Sequence, residues 1–143
     1  MIPPGAYLAD TSAFTRVAPH SAASREYLDE LAEKYLLAAC VVVVLEIRRS
    51  ARDPAVYAEL MATRADLLIP LPVTAEVEAR ALEVQALMAE RGLWRAAGPA
   101  DRLIAATAEI YGATVLHYDK NYDAIAACTG QPAEWIAPRG SII

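Results

Sequence analysis

Four carboxylates in this chain stand where carboxylates can take part in chemistry. Asp10 directly follows the apolar Tyr7-Leu8-Ala9, and Asp119 follows Thr114–Tyr118. Asp101 comes two residues after Pro99, in the first turn of a predicted helix, where the positive end of the helix dipole favours an ionised side chain. Glu46 is flanked by Val43, Val44, Leu45 and Ile47, and a charge in an apolar segment is costly unless something offsets it. Each acid alone has a plainer reading. Asp10 and Asp119 suit turns or caps, Asp101 suits the helix dipole, and Glu46 could pair with Arg48 or Arg49 or face water.

Together they have one economical explanation, which is convergence on a hard divalent cation. All-oxygen ligands suit Mg²⁺ or Mn²⁺, and Mg²⁺ keeps several waters while using only a few carboxylates. Zinc is a poor alternative, because His20 and His117 are the only histidines and neither has a His or Cys at ligand spacing. A cation held this way activates a water and stabilises charge on a phosphoryl group.

Such a site needs elements that deliver the acids to one place. In open α/β sheets, chemistry collects beyond the carboxyl ends of the strands, at the switch point of strand order. The pattern predicts strands over Tyr7–Ala9, about Leu36–Ala39, Leu67–Pro72, Thr114–Tyr118 and Glu134–Ala137. Helices are predicted over Ser24–Leu36, from about Val42 as a buried helix, Ala55–Arg64 behind Pro54, Thr74 to about Arg91, Ala100–Tyr111 and Asn121–Ala127. The Val41–Val44 run favours a strand by propensity, yet the residues after it continue smoothly as helix. Thr74 is a natural cap, with Val77, Ala81, Val84, Leu87 and Met88 as the apolar stripe behind it, while Glu76, Glu78 and Glu83 line a solvated side. Gly92 and Gly112 are helix stops. Strand–helix alternation of this kind predicts a mainly parallel sheet covered by helices on both faces.

The chain has 143 residues, of which 56% are apolar and 22% charged, enough to bury a core and suited to one domain over residues 1–143. No repeat or linker divides it. The longest apolar candidate, Leu36 to Leu45, is too short to span a bilayer. Met1-Ile2-Pro3-Pro4-Gly5 lacks the basic and apolar regions of a secretory signal, and Cys40 and Cys128 lack CxxC spacing. A cytoplasmic protein with reduced thiols is expected. The net charge of −5 argues against gripping nucleic acid through a broad basic surface. Yet the four acids above account for most of that imbalance.

The surroundings of the acids resemble the PIN-domain nucleases, and particularly the VapC-type toxins of bacterial toxin–antitoxin pairs. Tyr-Leu-Ala-Asp10-Thr11-Ser12 resembles the family's opening strand and its D-[TS]-S turn, and Val-Leu-Glu46-Ile resembles the segment with the second acid. Ala-Asp101-Arg102-Leu-Ile-Ala-Ala-Thr-Ala resembles the third-acid helix, and His117-Tyr-Asp119-Lys-Asn121-Tyr-Asp123 the fourth. The likeness runs in order from Tyr7 to Trp135.

It implies a three-layer α/β/α sandwich and a Mg²⁺- or Mn²⁺-dependent endoribonuclease, with Asp10, Glu46, Asp101 and Asp119 as catalytic metal ligands. It also implies an RNA substrate, a cognate antitoxin partner and a toxin homodimer. This chain departs from the pattern at Asn121, where many relatives carry a further acid. Asp123 sits at an offset better suited to a helix N-terminus than to replacing that acid.

Around the acids, Ser12 is expected to bond Asp10 or a metal-bound water, or to cap a helix, and Asn121 to hold a metal-bound water or ligate through its carbonyl. Arg95, Arg102 and Lys120 flank the acids as candidate RNA-phosphate contacts, with Arg48, Arg49 and Arg52 as a second basic cluster. His117 reads as a core or supporting histidine, and Trp94 as a base-stacking or packing residue. Tyr27, Leu31 and Tyr35 form either core or a docking groove for an antitoxin helix. Two other functions stay open. A phosphoacceptor receiver domain would need an acidic neighbour for Asp10, which this chain lacks, and a PIN-like module could bind RNA or a partner without cutting.

Overall fold

The computed structural model describes residues 2–62 and 68–142. Five strands, β1 (Tyr7–Ala9), β2 (Leu37–Ala39), β3 (Ile69–Pro70), β4 (Thr114–His117) and β5 (Ala133–Trp135), form one sheet in the order β3-β2-β1-β4-β5. Every pairing is parallel. The helices are α1 (Ala22–Glu33), α2 (Val41–Arg49), α3 (Pro54–Ala62), α4 (Ala75–Glu90), α5 (Pro99–Tyr111) and α6 (Asn121–Thr129).

Side chains on a strand alternate between its faces, so each central strand feeds two cores. Leu8, Ala38 and Val115 point to one side, where they meet Val43 of α2, Val84 and Met88 of α4, Ile104 of α5 and Ile125 of α6. Ala9, Leu37 and Leu116 point to the other and pack against Leu28, Leu31 and Ala32 of α1. The result is the three-layer α/β/α sandwich expected from the alternation. Burying a side chain such as Leu8 or Leu116 stabilises the sheet by about 1.5–3 kcal/mol each.

Local signals account for the helix ends. The Thr74 hydroxyl accepts from Val77 N–H at 3.3 Å, capping α4. Pro99 occupies the first turn of α5, where its missing N–H costs nothing, and Gly112 ends that helix at φ +76°, a left-handed position that suits glycine.

The Val41–Val44 run is helical from Val41, although the expectation of a buried helix fails. Only Val43 is buried along α2, while Val41 and Leu45 are more than half exposed. Buried Val43, with Val42 and Ile47 packed partly buried beside it and Arg48 and Arg49 complementing the dipole in the last turn, outweighs the β-propensity of the run. β3 is shorter than the predicted Leu67–Pro72, β5 begins at Ala133, and α6 runs two residues beyond Ala127. The predicted end of α3 near Arg64 and the strand start at Leu67 lie outside the described residues.

Between β1 and α1 the chain makes a π-helical turn (Ala13–Val17) and a 3₁₀ turn (Ala18–His20), neither of which periodicity predicted. Cys40 is buried and Cys128 half-buried, both as free thiols. No helix among the described residues is long and apolar enough to cross a membrane.

Candidate active site

The sheet order reverses at β1, because β2 and β3 lie on one side of it while β4 and β5 lie on the other. The carboxyl ends of β1 and β4 therefore flank the switch point, where an α/β sheet leaves a crevice. Asp10 follows β1 directly, and its N–H donates to Leu116 O across to β4 at 2.8 Å. Asp119 lies two residues beyond β4, and the first turn of α5 brings in Asp101. Helix N-termini gather at this edge, and their partial positive charge favours anionic side chains.

Asp10 is 5% exposed, and both its oxygens are engaged. Oδ2 accepts from the Ser12 N–H at 3.0 Å and from the Ser12 hydroxyl, and Oδ1 accepts from the Tyr122 hydroxyl at 2.6 Å. Ser12 Oγ in turn accepts from Tyr118 N–H at 2.9 Å, so one hydroxyl joins the end of β4 to the Asp10 carboxylate. The expected Ser12–Asp10 bond is present, whereas Ser12 makes no side-chain cap.

The Tyr122 oxygen also lies 3.4 Å from Asp101 Oδ1. Asp101 Oδ2 accepts from Asn121 Nδ2 at 2.9 Å and from Gly98 N–H at 3.2 Å. Burial raises the Asp101 pKa from its ordinary value, and the charges of Asp10 and Asp119 add to the rise, while the two donated bonds oppose it. Asn121 thus supplies a neutral donor at the position where a further acid would have added repulsion. Asp119 Oδ1 accepts from Asn121 N–H at 2.9 Å, and the Asp119 N–H donates to His117 Nδ1 at 3.1 Å. His117 has no exposed surface, and burial lowers its pKa, so it is a neutral supporting group, as expected.

Glu46 stands apart from this cluster of bonds. Arg48 and Arg49 do not pair with it; the Thr11 hydroxyl donates to its Oε1 at 2.8 Å. Thr11 ties α2 to the turn that carries Asp10. Thr11 and Tyr122 are the two supporting residues that the sequence reading missed. The D-T-S turn marked Thr11, and the aromatic one turn after Asp119 marked Tyr122, but neither pattern revealed what its hydroxyl would touch.

The expected basic residues divide. Arg102 is 5% exposed and its guanidinium donates to Trp94 O, so it braces the loop before α5; a buried guanidinium does not offer itself to a phosphate, which corrects that expectation. Arg95 lies over the Trp94 ring, 5.7 Å from its centroid, with Trp94 half exposed. Lys120 is exposed at the start of α6, and Arg52 is exposed beside Asp53. Asp123 occupies the first turn of α6, the helix role expected for it, and accepts from Trp135 Nε1 at 3.1 Å. Leu31 is buried in the core beside α1 while Tyr35 is exposed beyond the helix, so Tyr27, Leu31 and Tyr35 do not form one open groove.

Among the described residues, no Lys, Arg or His forms an ion pair with Asp10, Glu46, Asp101 or Asp119. No three His, Cys, Asp or Glu side chains among them close around a common point either. What the site offers is a pair of carboxylates that meet at one phenol, a third acid whose charge acts on Asp101, and a donor set of oxygens alone. Mg²⁺ or Mn²⁺ fits that set, because such a cation uses one or two carboxylates and fills the remaining positions with water.

A family model described as "PIN domain" matches residues 7–127. Ribonuclease VapC18 of Mycobacterium tuberculosis is 43% identical over 138 residues, spanning 95% of this chain and 98% of that protein. Among solved structures, VapBC-5 of Mycobacterium tuberculosis, a member of the VapBC family of toxin–antitoxin systems, is similar at 26% identity. Its TM-score is 0.61, with 92% of this chain and 98% of that chain covered. VapBC2 of Rickettsia felis, solved bound to a DNA fragment from its promoter, shares the fold at TM-score 0.74 and 17% identity, covering 90% and 97% of the two chains.

Proposed function

The chain belongs to the PIN-domain family, and from that premise we propose that it is the ribonuclease toxin of a toxin–antitoxin pair, cutting RNA phosphodiesters with Mg²⁺ or Mn²⁺. The observation that carries this reading is the meeting of Asp10 and Asp101 at the Tyr122 hydroxyl, on the carboxyl edge of the sheet, without a cationic partner. The relative named as a ribonuclease supports the reaction, and the neighbour from a toxin–antitoxin system supports an antitoxin partner. A homodimer of this chain belongs to the same proposal.

Asp10 and Asp101 are the principal ligands in this reading, with Asp119 and Glu46 completing the site directly or through water. When bound, the cation supplies Lewis-acid stabilisation of phosphoryl charge and lowers the pKa of a water. The protein's own groups arrange that chemistry. Ser12 and Tyr122 fix the rotamer of Asp10, Asn121 and Gly98 fix Asp101, and Thr11 holds Glu46 facing the same turn. Burial of Asp10, 5% exposed, limits the screening of its charge by water.

The test is cleavage of RNA by the purified chain with Mg²⁺ or Mn²⁺, with EDTA, and with Asp101→Asn. Cleavage that leaves 5′-phosphate and 3′-hydroxyl ends, and that stops in both controls, supports the reading. Cleavage that persists in EDTA refutes it.

A further inference from the structure

Beside the acids, at the carboxyl ends of β4 and β5, two arginines are mounted on a pair of touching aromatic rings. Arg16, on the π-helical turn, lies over the Tyr118 ring, 5.3 Å from its centroid, and its Nη1 donates to Tyr118 O at 3.3 Å. Tyr118 immediately precedes Asp119. The Tyr118 ring meets Trp135 edge-on at 5.4 Å, and Arg139 lies over the Trp135 ring at 5.8 Å. Trp135 is pinned by its N–H to Asp123 and by the buried His117 ring at 5.0 Å. Tyr118 is pinned in turn, its hydroxyl accepting from Ile142 N–H at 3.0 Å.

Both guanidinium groups are on exposed residues, and neither has a carboxylate partner among the described ion pairs. A ring beneath a guanidinium attracts the cation while leaving its N–H donors free for an oxyanion. A flexible RNA strand needs such cations, because its phosphates take the charge and its unstacked bases take guanidinium faces, while the Tyr118 ring, 4% exposed, serves only as a mount. An acidic cleft repels RNA, so a cationic rim at its edge supplies the approach that the cleft itself denies.

We propose that Arg16 and Arg139, held by Tyr118 and Trp135, form the rim that binds phosphates of a single RNA strand as it enters the acidic site. The proposal rests on the ribonuclease reading and places the strand across the β4–β5 edge.

The experiment measures binding of fluorescein-labelled oligouridylate to full-length Asp10→Asn protein by anisotropy over a salt series, with intact RNA verified on a gel. Arg16→Gln/Arg139→Gln is compared in that background and, for cleavage, in the otherwise unaltered chain. Losing two phosphate contacts flattens the slope of log K against log salt by about 1.4. It also raises KM with little change in kcat. An unchanged slope overturns the rim, including the case in which the same double variant instead loses a protein partner. If the unaltered chain cuts no RNA, the ribonuclease reading fails, while the anisotropy slope still decides the rim.

Discussion

The Tyr122 hydroxyl donates to Asp10 Oδ1 at 2.6 Å, from a side chain that is 1% exposed. Burial, followed by the charge of Asp10, holds the phenol pKa well above its ordinary value, so this proton stays on the oxygen. The bond fixes one carboxylate while the same oxygen sits 3.4 Å from Asp101. Tyr122→Phe keeps the ring that packs on His117 at 4.9 Å and deletes only the donor. A buried hydrogen bond to a charged acceptor contributes about 1.5–3 kcal/mol, and the urea midpoint should fall accordingly. RNA cleavage should fall roughly tenfold, the equivalent of about 1.4 kcal/mol of transition-state stabilisation, with more Mg²⁺ needed for half-activity. Equal stability of the two proteins would show that the phenol does not hold Asp10.

Asp101 presents the converse case. Burial and its acidic neighbours raise its pKa, so without a cation its ionised form works against the fold. Asp101→Asn should therefore raise the melting temperature in EDTA. Adding Mg²⁺ should stabilise the unaltered protein, by about 2.7 kcal/mol at a hundredfold excess over Kd, and leave the variant nearly unmoved. Differential scanning fluorimetry with and without the metal reads both halves. An Asn variant that gains as much from Mg²⁺ would remove Asp101 from the metal site, and one that melts lower in EDTA would show that the bonds from Gly98 and Asn121 outweigh the cost of burying the charge.

Much of this site was legible because three of its four carboxylates sit at element ends, and element ends carry strong local signals. Asp10 after an apolar triplet, Asp101 behind Pro99 and Asp119 after a β-branched strand were all readable from neighbours alone. The fold followed from strand–helix alternation, and the parallel order then fixed where the ends meet. The unread parts depend on contacts distant in sequence. Thr11 meets Glu46 across 35 positions, and Tyr122 meets Asp10 across 112. Arg102 looks like a surface cation beside an acid, and only the packing of α5 against the Trp94 loop decides that it is buried. The exposure of Val41 and Leu45 was hidden for the same reason, since an apolar run does not reveal which of its faces finds a partner.

Burial gives Arg102 a role that can be separated from RNA binding. Its guanidinium donates to the Trp94 carbonyl, and its Nε has no protein partner. Arg102→Ala removes a buried stem and a carbonyl's donor together, which should cost on the order of 2–4 kcal/mol in chemical denaturation. The salt slope of RNA binding should stay as it was, because no phosphate contact is lost. A flattened slope with unchanged stability would return Arg102 to the RNA surface.

Cys40 offers a readout of α2, the helix that delivers Glu46. Its side chain is 1% exposed at the junction of β2 and α2, and desolvation raises its pKa above the ordinary 9.0. A thiol held protonated and covered should resist iodoacetamide at neutral pH, while the half-buried Cys128 reacts first. The sign of the pH effect follows from the raised value. Cys40 lends its stabilisation fully below the unfolded thiol's pKa, and that contribution fades as pH rises through the folded one. Alkylation at Cys40, followed by peptide mass spectrometry, should accelerate in guanidinium and at strongly alkaline pH. Native-state labelling of Cys40 as fast as Cys128 would mean that the β2–α2 junction opens freely and that Glu46 is not held in place.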